Sequence, residues 1–240
     1  MKRPLIRLAL LAGMGLAAAQ GLGQTSHKGS PPGGSPATLE TALTQMDQAA
    51  GNFRAAQADF EWDQYQKVVN ETDVQKGKIY FRKQNRETQM SAAISEPDRK
   101  FVIFADGKIR FYQPRIEQVT EYEAGKHRSE VESFLVMGFG GKGHDLMKSF
   151  DVTHQGFEMI DGVETVKLKL APKVKKVSEM FSTIVLWIDL RRDISLKQQF
   201  FEPSGDYRIA HYSNIKINEK VPESVFKLNT SKRTKVVRPS

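Results

Sequence analysis

The spacing of apolar positions changes once, near residue 54, and that change divides the chain. Leu39, Leu43, Met46, Ala50 and Phe53 recur at i, i+4, i+7, i+11 and i+14. This is one stripe of an amphipathic helix about 20 Å long, which Thr38 is placed to cap. Beyond it the period falls to two. Phe60 and Trp62 share one face of a strand whose other face carries Asp59, Glu61 and Asp63, and Ile79 and Phe81 lie opposite Lys78, Tyr80 and Arg82. Thr88, Met90 and Ala92 continue the alternation.

The stretch 101–120 is the centre of the pattern. Runs 101–105 and 108–113 are separated by Asp106-Gly107, and a third run, 116–122, follows Pro114. Asp-Gly between apolar runs predicts a two-residue hairpin turn, so these residues form a meander. The first run, Phe-Val-Ile-Phe-Ala, is apolar at every position. Something must therefore cover the sheet on both sides here, and the parity of the run is open.

Alternation is lost over 125–149, where 131–139 and Leu146-Met147 predict one or two short helices around a glycine-rich bend. It returns at 150–154, 163–170 (after a second Asp-Gly), 183–189, 194–202 and 207–217. About ten strands with few helices predict an α+β fold. Its core is one large curved antiparallel sheet, an incomplete β-barrel, with helices covering the concave face. An incomplete barrel can leave a gap for an apolar guest. The candidate lid is 133–147, where Leu135, Met137, Phe139, Leu146 and Met147 surround four glycines; the alternative is ordinary core beneath a loop.

The ends change the picture. Residues 1–19 carry Lys2, Arg3 and Arg7 around an apolar run, 8–16, that ends in Ala17-Ala18-Ala19. This predicts an export signal cleaved near Ala19, since the run is shorter than the roughly 20 residues a membrane anchor requires. The Gly/Ser/Pro-rich stretch within 20–37 predicts a flexible linker, leaving 38–238 as a single domain. There is no cysteine, so neither a disulfide framework nor a cysteine-linked lipid anchor is available. The formal charge of +8 falls to +5 once Lys2, Arg3 and Arg7 are removed. Apart from Lys173-Lys175-Lys176, Arg191-Arg192 and the tail 227–238, the positive charge is scattered. For an exported chain this predicts no nucleic-acid partner and leaves two readings, a basic rim facing anionic headgroups or an acidic partner, and plain solubility.

Catalytic signals are absent from the sequence. His27, His127, His144, His154 and His211 make no metal-ligand spacing, there is no thiol and no Gly-x-Ser-x-Gly, and Asp59, Glu61 and Asp63 fit the wet face of a strand. Gly138-x-Gly140-x-x-Gly143 lacks the strand, helix and acid that a dinucleotide fingerprint needs. The expectation is a binding protein without catalytic residues, metal or cofactor.

A family pattern overlies these elements. Residues 77–82, Asn85, Pro97, Asp106-Gly107-Lys108, Phe111-Tyr112, Pro114 and Gln118-Val119-Thr120 fall in a characteristic order, followed by Phe134-Leu135, Phe150-Asp151-Val152-Thr153 and Pro222…Phe226. In this the chain resembles the periplasmic outer-membrane lipoprotein carriers, the LolA-like family, over most of 38–238. The resemblance implies a periplasmic carrier of acylated lipoproteins, loaded by an inner-membrane ABC transporter and unloaded by an outer-membrane receptor; a monomer is expected. The missing cysteine fits the soluble carrier rather than the anchored receptor. It further implies a lipid-binding lining of Phe60, Trp62, Ile79, Phe81, Met90, Ile103, Phe111, Leu135, Met137 and Met147, closed from the N-terminal helix by Leu43 and Met46. The chain departs from the family at Lys83-Gln84-Asn85, where Arg-Pro-Asn is usual, and at Gln89, where an aromatic is common. Carriage or sensing of free lipid or glycolipid on the same fold is the alternative; a lipid hydrolase and a filled structural protein are the more distant rivals.

Overall fold

The computed structural model describes residues 36–84, 87–125, 128–135 and 137–239. The expected signal, most of the expected linker, His27, Asn85 and His127 lie outside the described residues. Helix α1 spans Pro36–Asn52, so Pro36 and Ala37 belong to it rather than to the linker, and Thr38 stands inside its first turn rather than ahead of it. Among the described residues the other α-helices are short: α2 (Arg128–Leu135), α3 (Gly143–Ser149) and α4 (Lys175–Ser178). Among the described residues no helix is long and apolar enough to cross a membrane.

Among the described residues, twelve strands form one open sheet in the order β12-β6-β5-β4-β3-β2-β1-β11-β10-β9-β8-β7. The N-terminal strands are β1 (Ala55–Gln66), β2 (Glu71–Gln84), β3 (Glu87–Glu96), β4 (Lys100–Ala105), β5 (Lys108–Gln113) and β6 (Gln118–Glu123). The C-terminal strands are β7 (Phe150–Ile160), β8 (Val163–Pro172), β9 (Thr183–Asp189), β10 (Ile194–Phe201), β11 (Tyr207–Ile217) and β12 (Lys235–Val237). Strands β1–β6 form one antiparallel meander and β7–β11 another. The two meanders join where β1 pairs with β11, and β12 adds in parallel to β6. The sheet does not close into a barrel; β7 and β12 are its edges.

Both Asp-Gly hairpins form with positive φ at both residues, Asp106 and Gly107 in one and Asp161 and Gly162 in the other. That is the primed turn whose twist suits the flanking strands. The third strand of the central meander starts at Gln118 rather than 116, because Pro114–Ile116 makes a 3-10 turn ended by Glu117 in the left-handed region. Phe139 belongs to no helix; it forms an isolated bridge with Ile194 of β10.

The ladder register assigns the faces. Ile79 pairs with Ala58 and Ala92, Phe81 with Ala56 and Met90, Met90 with Phe104, and Phe104 with Ile109, so these side chains share the helix-covered face. Leu168, Leu186 and Gln198 continue that face across the other meander. The all-apolar run is covered on both sides. Val102 and Phe104 join the core beneath the helices, whereas Ile103, paired with Ser91 and Arg110, faces outward beside the C-terminal segment, whose Val225 carbonyl accepts from Ser91 Oγ at 2.6 Å.

Candidate functional site

A cavity of about 90 Å³ lies between the sheet and a covering segment that contributes Phe134, Leu135, Met137 and Phe139. Ile109 of β5 and Phe200 of β10 both line it, although they stand six strand spacings apart in the sheet. On a flat sheet that would be roughly 29 Å. The sheet therefore curls around the cavity.

Six of the twelve expected lining residues reach the wall: Trp62, Ile79, Phe81 and Met90 from the sheet, Leu135 and Met137 from the covering segment. The others lie elsewhere. Phe60 stacks on Trp62 with ring centres 4.0 Å apart and supports it from within the core. Phe111 is buried on the same face, outside the wall. Leu43 and Met46 are sealed between α1, α3 and the β7–β10 core, where they fasten the helices. Ile103 points to the opposite face, and Met147 is 43% exposed on the outside of α3.

The sequence reading missed Ile109, Phe134, Phe139, Gln198, Phe200, Arg208, Ala210 and Tyr212 of the wall. Several of these reach the site only through the β1–β11 pairing, which no local pattern announces. Parity along β10 and β11 could have nominated Phe200, Arg208, Ala210 and Tyr212. The wall is apolar except near Gln198, Arg208 and Tyr212. Gln198 Nε2 donates to the Met137 carbonyl (2.8 Å) and its Oε1 accepts from Tyr212 Oη (3.3 Å). Burial pulls the Arg208 guanidinium down to about 10 and pushes the Tyr212 hydroxyl up.

Glycines shape the covering segment. Gly138 and Gly140 both hold positive φ, and a Cβ at Gly140 would stand 2.2 Å from Phe53 Cγ. Gly143 lets α3 approach α1; a Cβ there would meet the Leu43 carbonyl at 2.6 Å. The Gly-x-Gly-x-x-Gly spacing thus serves a tight bend and a helix contact. His144 clasps the two helices, with Nδ1 2.7 Å from Asp47 Oδ2 and Nε2 3.1 Å from Glu40 Oε1. These contacts raise the His144 pKa.

Beside the bend, Asp193 is buried with neither carboxylate oxygen hydrogen-bonded. Burial pushes its pKa up to about 8, against the pull of Lys83. Lys83 occupies one of the positions where the chain departs from the family pattern. Its Nζ donates to the Ala50 carbonyl at the end of α1 (3.1 Å) and lies 5.4 Å from the centre of the Phe53 ring. Gln89, the other departure, accepts from Arg82 Nε (2.7 Å), and Arg82 in turn pairs with Glu223 and stacks on Phe226 of the C-terminal segment. Lys83 holds the helix and Gln89 the opposite face; neither lines the cavity. Among the described residues no group of His, Asp or Glu is arranged to hold a metal ion.

Residues 51–229 match the family model described as outer membrane lipoprotein carrier protein LolA. No curated protein matches the chain. Among solved structures it is similar to an uncharacterised conserved protein from Thermus thermophilus (TM-score 0.56, 13% identity, covering 84% of this chain and 99% of that one). It is also similar to MucB (0.52, 13%, covering 80% of this chain and 63% of MucB) and to a LolA superfamily protein from Nitrosomonas europaea (0.40, 12%, covering 80% and 98%).

Proposed function

Because the chain belongs to the LolA family of outer membrane lipoprotein carriers, we propose that it shields the acyl chains of lipoproteins in its cavity during transfer from the inner to the outer membrane. On this reading 1–19 is the export signal, cleaved near Ala19, and 38–238 is one carrier domain working as a monomer in the periplasm. It receives cargo from an inner-membrane ABC transporter and yields it to an outer-membrane receptor. Its work is binding, not catalysis.

The observation that carries the reading is an apolar cavity roofed by a glycine-jointed segment. Acyl burial is worth about 0.8 kcal/mol per CH₂, so a chain leaves a bilayer only for an equally apolar site. At about 90 Å³ the cavity is smaller than the roughly 150 Å³ apolar cavity that accepts a benzene ring. Loading therefore displaces the roof, and Phe139, wedged between Phe81 and Tyr212, is the side chain that has to leave.

Arg208 favours a second reading, carriage of a free anionic lipid or glycolipid, since a buried guanidinium in the wall suits a phosphate or carboxylate. Native mass spectrometry of protein recovered from the periplasm separates the two. A triacylated protein or peptide adduct supports lipoprotein carriage; a phospholipid or glycolipid adduct supports the second reading. Protein that arrives empty and refuses added acylated peptide and fatty acid overturns both.

A further inference from the structure

One end of the sheet carries exposed apolar residues among lysines, and neither the cavity nor the core uses them. The β1–β2 connection is Lys67-Val68-Val69-Asn70, with Val68 94% exposed. The β8–β9 connection begins Lys173-Val174-Lys175-Lys176, all exposed. Met147 joins it, because Lys173 Nζ donates to the Met147 carbonyl at 2.5 Å. The register puts these connections at the same end: Tyr65 pairs with Tyr207, Tyr207 with Phe201, and Phe201 with Thr183, so the β1–β2, β10–β11 and β8–β9 connections stand side by side. The cavity reaches toward this end. Trp62 lies five residues before Lys67, and Phe200 and Arg208 are each two residues from the β10–β11 connection 202–206.

We infer that this end docks on the surface of an anionic phospholipid bilayer. Val68, Val69, Val174 and Met147 enter the headgroup–acyl boundary while Lys67, Lys173, Lys175 and Lys176 meet the phosphates. The apolar side chains stand on three separate elements, Val68 and Val69 on the β1–β2 connection, Val174 on the β8–β9 connection and Met147 on α3. The segments 67–70 and 173–178 contain four lysines and no acid, flanked by Glu71 and Glu179, and Glu202 and Asp206 of the connection between them are half-buried. Separate exposed apolar tips with exposed lysines on the same segments suit a soft, negatively charged boundary, where burial and electrostatic attraction add. A folded acidic protein would instead need one continuous complementary face. The inference rests on exposure and register and is independent of what the cavity carries.

The test is flotation of protein recovered from the periplasm with vesicles of phosphatidylethanolamine and phosphatidylglycerol, against vesicles of phosphatidylcholine alone. The wild-type protein should partition to the anionic vesicles and lose that binding at high salt. Val68→Asp/Val69→Asp and Lys175→Glu/Lys176→Glu should each reduce partition on the order of tenfold. Uptake of a fluorescent fatty acid in vesicle-free solution should stay at the wild-type level in both variants, which shows that they are folded. No partition, equal partition to both vesicle types, or variants that partition like the wild type would overturn the inference. Partition without fatty-acid uptake would support docking and remove the carrier reading.

Discussion

Phe139 lies flat against Phe81, ring centres 4.4 Å apart and planes inclined by 23°, and meets Tyr212 edge-on from the other side at 4.8 Å. The roof of the cavity is thus pinned by one aromatic ring to two strands that are distant in sequence. Phe139→Ala removes the pin and deepens the cavity. Stability should fall by about 3 kcal/mol or more, while short fatty-acid probes bind more tightly. Urea unfolding and probe titration read the two effects, and unchanged probe affinity in a folded variant would contradict the wedge role.

Phe81→Asp should place a carboxylate in the wall without a partner. Fatty-acid uptake should be abolished, with a large loss of stability, because an unpaired buried charge is costly. The milder Phe81→Leu keeps the wall apolar and should retain uptake. Normal uptake by a folded Phe81→Asp protein would place the lipid elsewhere.

Gly140→Ala tests the bend. With φ at +72° and the new Cβ 2.2 Å from Phe53 Cγ, alanine is both strained and obstructed. A loss of more than about 1 kcal/mol is expected from these combined effects. Gly51→Ala, where nothing lies within 4 Å of the new Cβ, serves as the control. Equal stabilities of the two variants would show that the roof segment gives way freely.

Asp193 makes stability fall with rising pH. Burial holds its folded pKa at about 8, above the ordinary value of 3.8, so between these values the folded state binds the extra proton. The advantage is complete below the unfolded pKa and is lost as pH rises through about 8. Asp193→Asn should flatten this dependence and leave the protein more stable than wild type above about pH 8. Urea midpoints measured across this range check it, and a wild-type midpoint independent of pH would refute it.

His144 acts in a narrower window. Hydrogen bonding to Asp47, with help from Glu40, raises its pKa above the ordinary 6.5. The α1–α3 clasp is therefore at full strength below that value and weakens as pH rises through the folded pKa. Amide exchange along α1 should quicken over that interval, and His144→Gln should remove the step. If α1 exchange shows no such step in the wild-type protein, the clasp is not charged.

The sequence by itself determined the elements and the class. Period-two alternation, two Asp-Gly pairs and the helical stripe were enough to predict an open, helix-covered antiparallel sheet, because each reports a local backbone preference. Alternation also fixed which residues of β2 and β3 face the cavity, so Ile79, Phe81 and Met90 were legible. Periodicity could not place Ile103, because both faces of its strand are apolar and only the C-terminal segment, more than a hundred residues later, decides which is which. Nor could it separate Phe60 from Trp62, which share a face but differ in what stands above them. The three-residue β12 carries no pattern of its own. Arg208, Gln198 and Phe139 became part of one wall only when β1 paired with β11 and the sheet curled. Local sequence sets the direction of a side chain relative to its own strand; which strands meet across a closed space is settled by tertiary packing, which no short window contains.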